Sequence, residues 1–538
     1  MTRARRAVDW RFAALALGLA LLLGLFGRIA GTDPDEEYAL ASTAHGLVYA
    51  LHRALYYELQ APVWFGIVAL WRGLDSSVTF ARLFSIACAA GTCFALRSIA
   101  LRLRPRLDPF AFVALVVLNP FFIYAALEVR VYAFALLLGA LSWIAFYDGY
   151  FAGESRSARL RFGLLALISI YTFYYLGFML VGCVAALIVA RRFAALRAFV
   201  PLTVVLALAS VPALLVVRAT FAEVRAALPP MSGASLRAFV EPVLLFVLPT
   251  GYRWSEVPAL AALLHVYKPL VLGLIAIVLL ARPRIGAREL GLAALAAAIW
   301  LAYPLVYLLV HVRFEVPRHY VTLFVPLAAA AYAVLATLAV GAGAWRRVAL
   351  GAVLAAYVAC CGLTLWSTYG TLSKAGDMRR VGAYVSAHAV RGDLVAVFAP
   401  DAKPAFQRFY AGPAPVVAFP REPDPERYDT AAYVVHSIAE ADAALDRLAP
   451  HQRLWFVLYG RCAPNSDNYG CFTVSSALRA RYPDARVSDF YEAEVVEIEA
   501  RPGRKNAGRS AARGSSIAQG EIRAWRLKKA AFSTIASA

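Results

Sequence analysis

The stretch RFAALALGLALLLGLFGRIAGTDPDEEYA, residues 11–39, decides the class of fold. It joins about twenty mostly apolar residues to four acidic ones, Asp33, Asp35, Glu36 and Glu37. An apolar run of this length crosses the roughly 30 Å hydrocarbon core of a bilayer as a helix. Similar runs recur over the first two thirds of the chain, so the sequence predicts a polytopic α-helical membrane protein.

The composition predicts the same class. Of the 538 residues, 61% are hydrophobic and only 16% are charged. The formal net charge is +20, yet we do not expect nucleic acid as a partner. Much of this charge lies in short loops between the apolar runs, where the anionic headgroups of membrane lipids attract it.

Six basic segments orient the predicted helices. They are the N-terminal MTRARR and five short arginine-rich loops. Because cytoplasmic loops carry an excess of Lys and Arg, we predict a cytoplasmic N-terminus in the inner (plasma) membrane, with the acidic segments and the C-terminal part on the outer side. The eleven predicted spans are 10–30, 78–100, 109–126, 131–151, 162–175, 176–190, 198–218, 261–281, 290–311, 320–341 and 348–368.

The chain changes character near residue 370, where short apolar runs alternate with helical stretches. Such alternation is typical of an α/β domain with a largely parallel sheet. We therefore predict a transmembrane module over 1–369 with its first outer loop at 31–77, an extracytoplasmic α/β domain over 370–500, and a basic, disordered tail over 501–538. The predicted strands are 393–400, 415–420, 431–436 and 453–460.

The seven cysteines show no metal-ligand spacing. Five of them lie in predicted spans, where small packing residues are expected. Cys462 and Cys471 lie in the predicted outer domain, and an oxidising compartment permits a disulfide between them.

The acidic stretch after the first span has two compatible interpretations. As a helix start, Asp33 is the N-cap, Pro34 occupies the first turn and Glu36 completes a capping box. As a functional site, it places carboxylates beside lipid, where they need a partner or a purpose. Successive helical residues point about 100° apart, so one of Asp35 and Glu36 can face a substrate while the other braces the loop.

Further polar residues are expected on the same side of the membrane. An aromatic segment at 56–65, interpreted as an interfacial helix, carries two of them. The others begin or precede predicted spans, and their guanidinium groups match phosphate geometry. The candidates are Glu58 and Gln60 in the interfacial segment, Arg82, Glu128, Arg130 and Tyr132 around the early spans, and Arg313, Glu315, Arg318, His319 and Tyr320 before the tenth.

A carboxylate and several arginines at a bilayer surface suit sugar transfer from a lipid-linked phosphate to a hydroxyl. The carboxylate withdraws the proton of the acceptor while its oxygen attacks the anomeric carbon. The leaving phosphate is a weak base, so it needs positive charge more than it needs an acid. A single displacement inverts the anomeric configuration, by the logic of inverting glycosidases.

An ordered set of motifs resembles the GT-C glycosyltransferases of the protein-mannosyltransferase-like and aminoarabinose-transferase-like superfamily. The resemblance covers about residues 10–460. The motifs are DEEYA (35–39), YELQAPVWF (57–65), TFARLFS (79–85), EVRVYAFALLL (128–138), YTFYYLGF (171–178), VPRHYVTLFVP (316–326) and GDLVAVFAP (392–400).

The resemblance implies an inverting transferase that uses a polyprenyl-phosphate sugar and acts on a lipid, glycan or protein hydroxyl. Asp35 would be the catalytic base or its orienter, and Glu36 the adjacent acid. Arg82, Arg130 and Arg318 would bind the donor phosphate or brace the first loop, and the other polar candidates would bind substrate or brace. The chain departs from the family pattern at Ala61, where a second proline is usual.

No cofactor is required by this interpretation. A divalent metal near Asp33 and Asp35 is an alternative, although Pro34 between them and the lack of a histidine disfavour a fixed site. Two other functions stay open. A lipid or solute flippase would place its charges near the membrane midplane, and a non-catalytic scaffold for envelope assembly would act through the outer domain.

Overall fold

The computed structural model describes residues 10–104, 107–227, 236–249, parts of 262–273, 286–310, 317–339, 344–374, 376–424, 429–448, 453–460, 462 and 468–499. The chain divides into two compact units. One comprises Met1–Lys374 with Pro425–Thr430, and the other comprises Ala375–Asp424 with Ala431–Ala538. The predicted tail 501–538 and most of the predicted span 261–281 lie outside the described residues.

The first unit is helical. Its helices are α1 (Trp10–Ile29), α2 (Pro34–Ser42), α3 (Leu47–Tyr56), α4 (Pro62–Arg72), α5 (Val78–Leu103), α6 (Phe110–Val117), α7 (Pro120–Leu127), α8 (Tyr132–Phe146, continued by a π-helical turn Tyr147–Phe151), α9 (Arg156–Ile170), α10 (Phe178–Val189), α11 (Phe193–Ala209), α12 (Val211–Ala227), α13 (Leu236–Val247), α14 (Ala287–Val310), α15 (Val321–Ala339) and α16 (Ala344–Tyr369).

Six helices of the described residues are long and apolar enough to cross a membrane, or up to eight spans if each of two bent helix pairs counts as one. The prediction of a polytopic helical protein is confirmed, whereas the described residues do not give the predicted count of eleven. The exposed surface of α1 is mostly apolar, with Leu17, Leu21, Leu22 and Leu25 all 58–66% accessible. Such a face is stable beside lipid and not beside water.

The predicted span 109–126 is broken. Helices α6 and α7 meet at an angle of 65°. Asn119 between them has an extended backbone, and its side chain accepts a hydrogen bond from the backbone N–H of Phe121. Pro120 follows at the first helical position, where its missing N–H costs nothing. The break therefore follows from a local cap-and-proline start signal.

The predicted single interfacial helix over 56–65 is wrong. Helix α3 ends at Tyr56, and α4 begins at Pro62. Leu59 between them has a positive φ of 51°, which interrupts a helix. Trp64 and Phe65, both 1% exposed, belong to the protein core and not to a lipid-facing surface.

The second unit is an α/β domain, as predicted. Its helices are α17 (Met378–His388), α18 (Lys403–Gln407), α19 (Ile438–Asp446) and α20 (Cys471–Arg481). The strands are β1 (Leu394–Phe398), β2 (Val416–Ala418), β3 (Arg453–Tyr459), β4 (Arg486–Phe490) and β5 (Ala493–Glu499), in the sheet order β2-β1-β3-β5-β4.

The sheet is half parallel. Strands β1, β2 and β3 are parallel, as the sequence predicts, whereas β5 runs antiparallel to both β3 and β4. The predicted strand at 431–436 is wrong, because Thr430–Tyr433 forms a 3-10 turn. Cys462 and Cys471 are joined by a disulfide in this unit, with their Cα atoms 4.9 Å apart.

Candidate active site

Helix α2 begins with the capping box that the sequence predicts. The side chain of Asp33 accepts a hydrogen bond of 2.8 Å from the backbone N–H of Glu36. The side chain of Glu36 in turn accepts one of 3.3 Å from the backbone N–H of Asp33. Pro34 occupies the first turn. The box fixes the directions of the acidic side chains that follow it.

Glu36 is the centre of a buried ion-pair network. It is 0% exposed. Its carboxylate accepts hydrogen bonds from Arg82, from Lys374 and from the backbone N–H of Val129, the last two at 2.6 and 2.9 Å. Burial alone would raise the pKa of Glu36, but Lys374 and Arg82 outweigh it and hold this pKa at about 2. Glu36 is therefore an ionised brace.

Arg82 fastens the end of the first span to this network. Its Nη atoms donate to the backbone carbonyls of Gly27, Ala30 and Gly31 at 2.5, 2.9 and 2.6 Å, and its Nε and Nη2 donate to Glu36. A guanidinium has five N–H donors, and these contacts use all of them. This arrangement favours the second of the two predicted roles for Arg82, a brace for the first loop.

Lys374 is a component of the site that the sequence did not indicate. It follows α16, is 7% exposed, and its Nζ lies 2.6 Å from Glu36 Oε2, 2.6 Å from Glu128 Oε1 and 3.6 Å from Asp33 Oδ2. Burial, followed by the charge of Asp33, raises the pKa of Glu128 despite Lys374. Lys374 is separated from Glu36 by 338 positions, so no local sequence pattern could reveal this ion pair.

Asp35 occupies a different environment from Glu36. Its side chain is 37% exposed, and its Oδ2 accepts a hydrogen bond of 2.6 Å from Arg318, which is 34% exposed. Among the described residues, its Oδ1 accepts no hydrogen bond. Burial would raise the pKa of Asp35, but Arg318 and then Arg130 outweigh it, so this pKa lies below its usual range. Asp35 is therefore an ionised carboxylate in which, among the described residues, only Oδ2 is hydrogen-bonded.

Arg130 holds the backbone of Asp35 and is itself paired with Glu58. Arg130 donates a hydrogen bond of 3.0 Å to the backbone carbonyl of Asp35, and it lies 3.8 Å from Glu58 Oε2. Ser42 donates a hydrogen bond of 2.7 Å to Glu58 Oε1. Burial raises the pKa of Glu58, although Arg130 and Ser42 oppose this shift. Arg130 is 8% exposed, which favours the loop-bracing alternative for this pair.

An aromatic cluster lies on the side of Arg318 and Asp35. The rings of Tyr124 and Tyr132 stack at 5.8 Å, and those of Tyr175 and His319 lie 5.8 Å apart. Tyr303 donates a hydrogen bond of 2.7 Å to the carbonyl of His319. This cluster holds the turn that carries Arg318.

Two predicted candidates do not join the arrangement, and two others are not described by the structure. Tyr320 is 0% exposed and stacks on Tyr303 at 4.2 Å, so it is a packing residue. In the part of the chain that the structure describes, the side chain of Gln60 is not among the partners of Asp35. Arg313 and Glu315 lie outside the described residues.

The carboxylates of Asp33 and Asp35, suggested as a metal pair, lie beside different cations, Lys374 and Arg318 respectively. The carboxylates that do approach one another, within 4.8 Å, are those of Asp33, Glu36 and Glu128. The ammonium of Lys374 already lies among these three. A metal at Asp33 and Asp35 does not fit the observed pairing, because Asp35 is engaged by Arg318 instead.

Comparison of the whole chain with known proteins gives a resemblance to solved structures. No family model matches the sequence, and no curated protein matches it. The solved structures that are similar in fold include two of ArnT from Cupriavidus metallidurans. The one bound to undecaprenyl phosphate has a TM-score of 0.50 at 13% identity and covers 93% of this chain and 100% of its own.

The apo ArnT structure gives the same TM-score of 0.50 at 14% identity, covering 91% of this chain and 98% of its own. At these identities the likeness establishes the fold alone. It extends over nearly the full length of both chains, so it includes the membrane helices and the terminal α/β unit. The chain is thus a multi-pass membrane protein with the GT-C fold of the aminoarabinose transferase ArnT.

Proposed function

We propose that the protein is an inverting glycosyltransferase that moves a sugar from a polyprenyl-phosphate donor to a hydroxyl acceptor. The observation that carries this proposal is the ion pair of Asp35 and Arg318. Its carboxylate and guanidinium lie 2.6 Å apart, and both side chains are about one third exposed. The neighbouring Glu36, Arg82 and Arg130 are buried and paired with other protein groups. Asp35 and Arg318 are therefore the reactive part of the cluster in this proposal. The ArnT structure bound to undecaprenyl phosphate supports a polyprenyl phosphate as the carrier.

Asp35 is the base in this mechanism. Its Oδ1 accepts the proton of the acceptor hydroxyl while the hydroxyl oxygen attacks the anomeric carbon. The bond between that carbon and the phosphate oxygen breaks, and its electron pair leaves with polyprenyl phosphate. Because attack and departure occur on opposite faces, the anomeric configuration inverts. The lowered pKa of Asp35 keeps the base ionised at neutral pH.

Arg318 stabilises the leaving group. A guanidinium binds phosphate oxygens through paired N–H donors, and the exposure of Arg318 leaves donors beyond the one that Asp35 uses. Arg130 fixes the backbone of Asp35. Arg82 and Glu36 fix the loop that precedes it, so they position the base without touching the substrate.

The proposal includes a location. Asp35 follows the first span, and the basic loops favour a cytoplasmic N-terminus. We place the reaction on the outer face of the inner membrane, together with the α/β unit. Labelling of a single cysteine introduced at exposed Leu372 by a membrane-impermeant thiol reagent in intact cells tests this side, and labelling only after lysis contradicts it.

The test of function is release of polyprenyl phosphate. Purified protein is incubated with a panel of polyprenyl-phosphate sugars and with lipid, glycan and peptide acceptors, and the freed carrier is measured. We expect release with one sugar and one acceptor class, and loss of release in Asp35→Asn. The exposed, ion-paired Asp108 supplies a matched control, since Asp108→Asn should retain activity. Movement of intact donor across vesicles without cleavage would instead indicate a flippase.

A further inference from the structure

The buried carboxylates beside the proposed site surround an ammonium group. Lys374 Nζ lies within 3.6 Å of Asp33, Glu36 and Glu128, and the lysine side chain is 7% exposed. Glu128 is 1% exposed, and neither of its oxygens has a hydrogen-bond partner of good geometry among the described residues. The ammonium 2.6 Å away is therefore its charge compensation.

The spacing of these oxygens is that of a cation site. One carboxylate oxygen from each residue lies within 4.8 Å of the others, and hard divalent cations bind such oxygen sets. Three carboxylates against Lys374 and Arg82 give formal charges of −3 and +2. Without the lysine, the set would either carry −2 of uncompensated formal charge or take up protons, and both alternatives lower the stability of the folded state.

The choice of lysine is specific in this chain. Lys268 and Lys374 are the only lysines among its first 400 residues, where all other permanently basic side chains are arginine. An ammonium is a compact point charge with three donors, whereas guanidinium is a planar fork. Three carboxylates converging from different directions match the ammonium, as they would match a small metal ion.

We propose that Lys374 is an internal cation that takes the place of a divalent metal in holding Asp33 and Glu36 against Glu128. It is a positioning residue: through Glu36 and the capping box it sets the start of α2, from which Asp35 projects. Its consequence for transfer rests on the proposed function, whereas its effect on metal binding and stability does not.

The proposal predicts that loss of the ammonium creates a metal site. Lys374→Met keeps much of the side-chain length but removes the charge. After treatment with EDTA, we expect this variant to have a lower Tm than the wild type, to bind one Mn²⁺ per chain by electron paramagnetic resonance, and to recover Tm when Mn²⁺ or Ca²⁺ is added. The wild type should bind no Mn²⁺ at this cluster and keep its Tm in EDTA.

Two controls separate the cluster from general effects. Lys403 pairs with Glu422 in the other unit, and Lys403→Met should neither lower Tm comparably nor bind Mn²⁺. Adding Glu128→Gln to Lys374→Met should abolish the new Mn²⁺ signal. If Lys374→Met cannot be purified in EDTA, purification with Ca²⁺ should rescue it, and failure of both preparations would overturn the proposal.

Transfer supplies a separate readout. Mn²⁺ should restore polyprenyl-phosphate release to Lys374→Met by at least tenfold, while EDTA leaves the wild type unchanged. A wild type that binds Mn²⁺ at this cluster, or a metal-free Lys374→Met with wild-type Tm, would overturn the role of Lys374. If no variant or wild type releases carrier but the Mn²⁺ and Tm results hold, the proposed function fails and the cation role stands.

Discussion

Replacement of Glu36 by glutamine tests whether Glu36 stabilises the fold by holding Arg82 and Lys374 or instead acts in catalysis. Glu36 is fully buried and compensates Arg82 and Lys374 at 3.0 and 2.6 Å. Glutamine has nearly the same shape but no charge, so both cations lose their shared partner. Removing one member of a buried ion pair costs about 3–5 kcal/mol. For a unit of this size, we expect Tm to fall by on the order of 5 °C.

The pH dependence of this effect has a defined sign. The pKa of Glu36 is lowered to about 2 in the folded protein, against 4.5 for an unperturbed glutamate carboxyl. A group with a depressed pKa stabilises the fold above its unfolded pKa, and this contribution is lost as the pH falls through the folded pKa. The difference in Tm between wild type and Glu36→Gln should therefore be largest at neutral pH and shrink from about pH 4.5 towards pH 2.

The assay is thermal unfolding in detergent, followed by tryptophan fluorescence, with Asp35→Asn as the matched control. Asp35 is adjacent in sequence, but its side chain is 37% exposed and makes one ion pair. We expect Asp35→Asn to retain Tm within about 2 °C, because partly exposed ion pairs contribute about 0–1 kcal/mol. Equal Tm values for wild type and Glu36→Gln would refute the stabilising role of Glu36. A large fall in Tm that occurred only in Asp35→Asn would refute it as well.

Three further predictions concern Arg318, Arg82 and the disulfide. In Arg318→Ala the pKa of Asp35 should rise, because the largest charge that lowers it is removed while burial still raises it. The acidic limb of the pH–rate profile for carrier release should then move to higher pH, and an unmoved limb would exclude this pairing. Arg82→Met should lower Tm as Glu36→Gln does and leave the donor KM of the folded protein unchanged; a raised KM with normal Tm would restore the phosphate-binding interpretation. Cys462→Ser should destabilise the α/β unit by about 2–3 kcal/mol, as a loop this short predicts, with no change in transfer; measured stability equal to wild type under oxidising conditions would contradict the bond.

Local patterns predicted the elements that depend on neighbouring residues. Asp33, Pro34 and Glu36 form a cap because their spacing alone satisfies the free N–H groups at the start of a helix. The apolar runs predicted the helical membrane class because their length alone matches the thickness of a bilayer. By contrast, Leu59 breaks the segment between α3 and α4 through a backbone conformation that its residue type does not indicate.

The pairing of charges was not readable from the sequence. Arg82, Arg130 and Arg318 looked equivalent as guanidiniums near an outer surface. The structure separates them by burial and partners: Arg82 uses every donor on protein, whereas Arg318 is 34% exposed. Asp35 and Arg318 are 283 positions apart. Only the packing of distant helices determines which arginine a carboxylate meets.

The α/β unit shows the same limit. The apolar runs that became β1 and β3 are almost fully buried, and a continuous apolar run predicts a central strand well. Strand β4 is exposed or half-buried throughout, so it lacks that signal. Its place at the sheet edge follows from its pairing with β5, which hydrophobicity does not report.

The proposed mechanism requires the carboxylate of Asp35 to remove the acceptor proton during sugar transfer. The most direct measurement is the single-turnover rate of polyprenyl-phosphate formation by wild type and Asp35→Asn, each saturated with donor and acceptor and shown to have the same Tm. Loss of a general base lowers the rate by about 10²–10⁴-fold, and we predict a fall in that range with donor binding retained. A rate within a few fold of wild type would contradict the account.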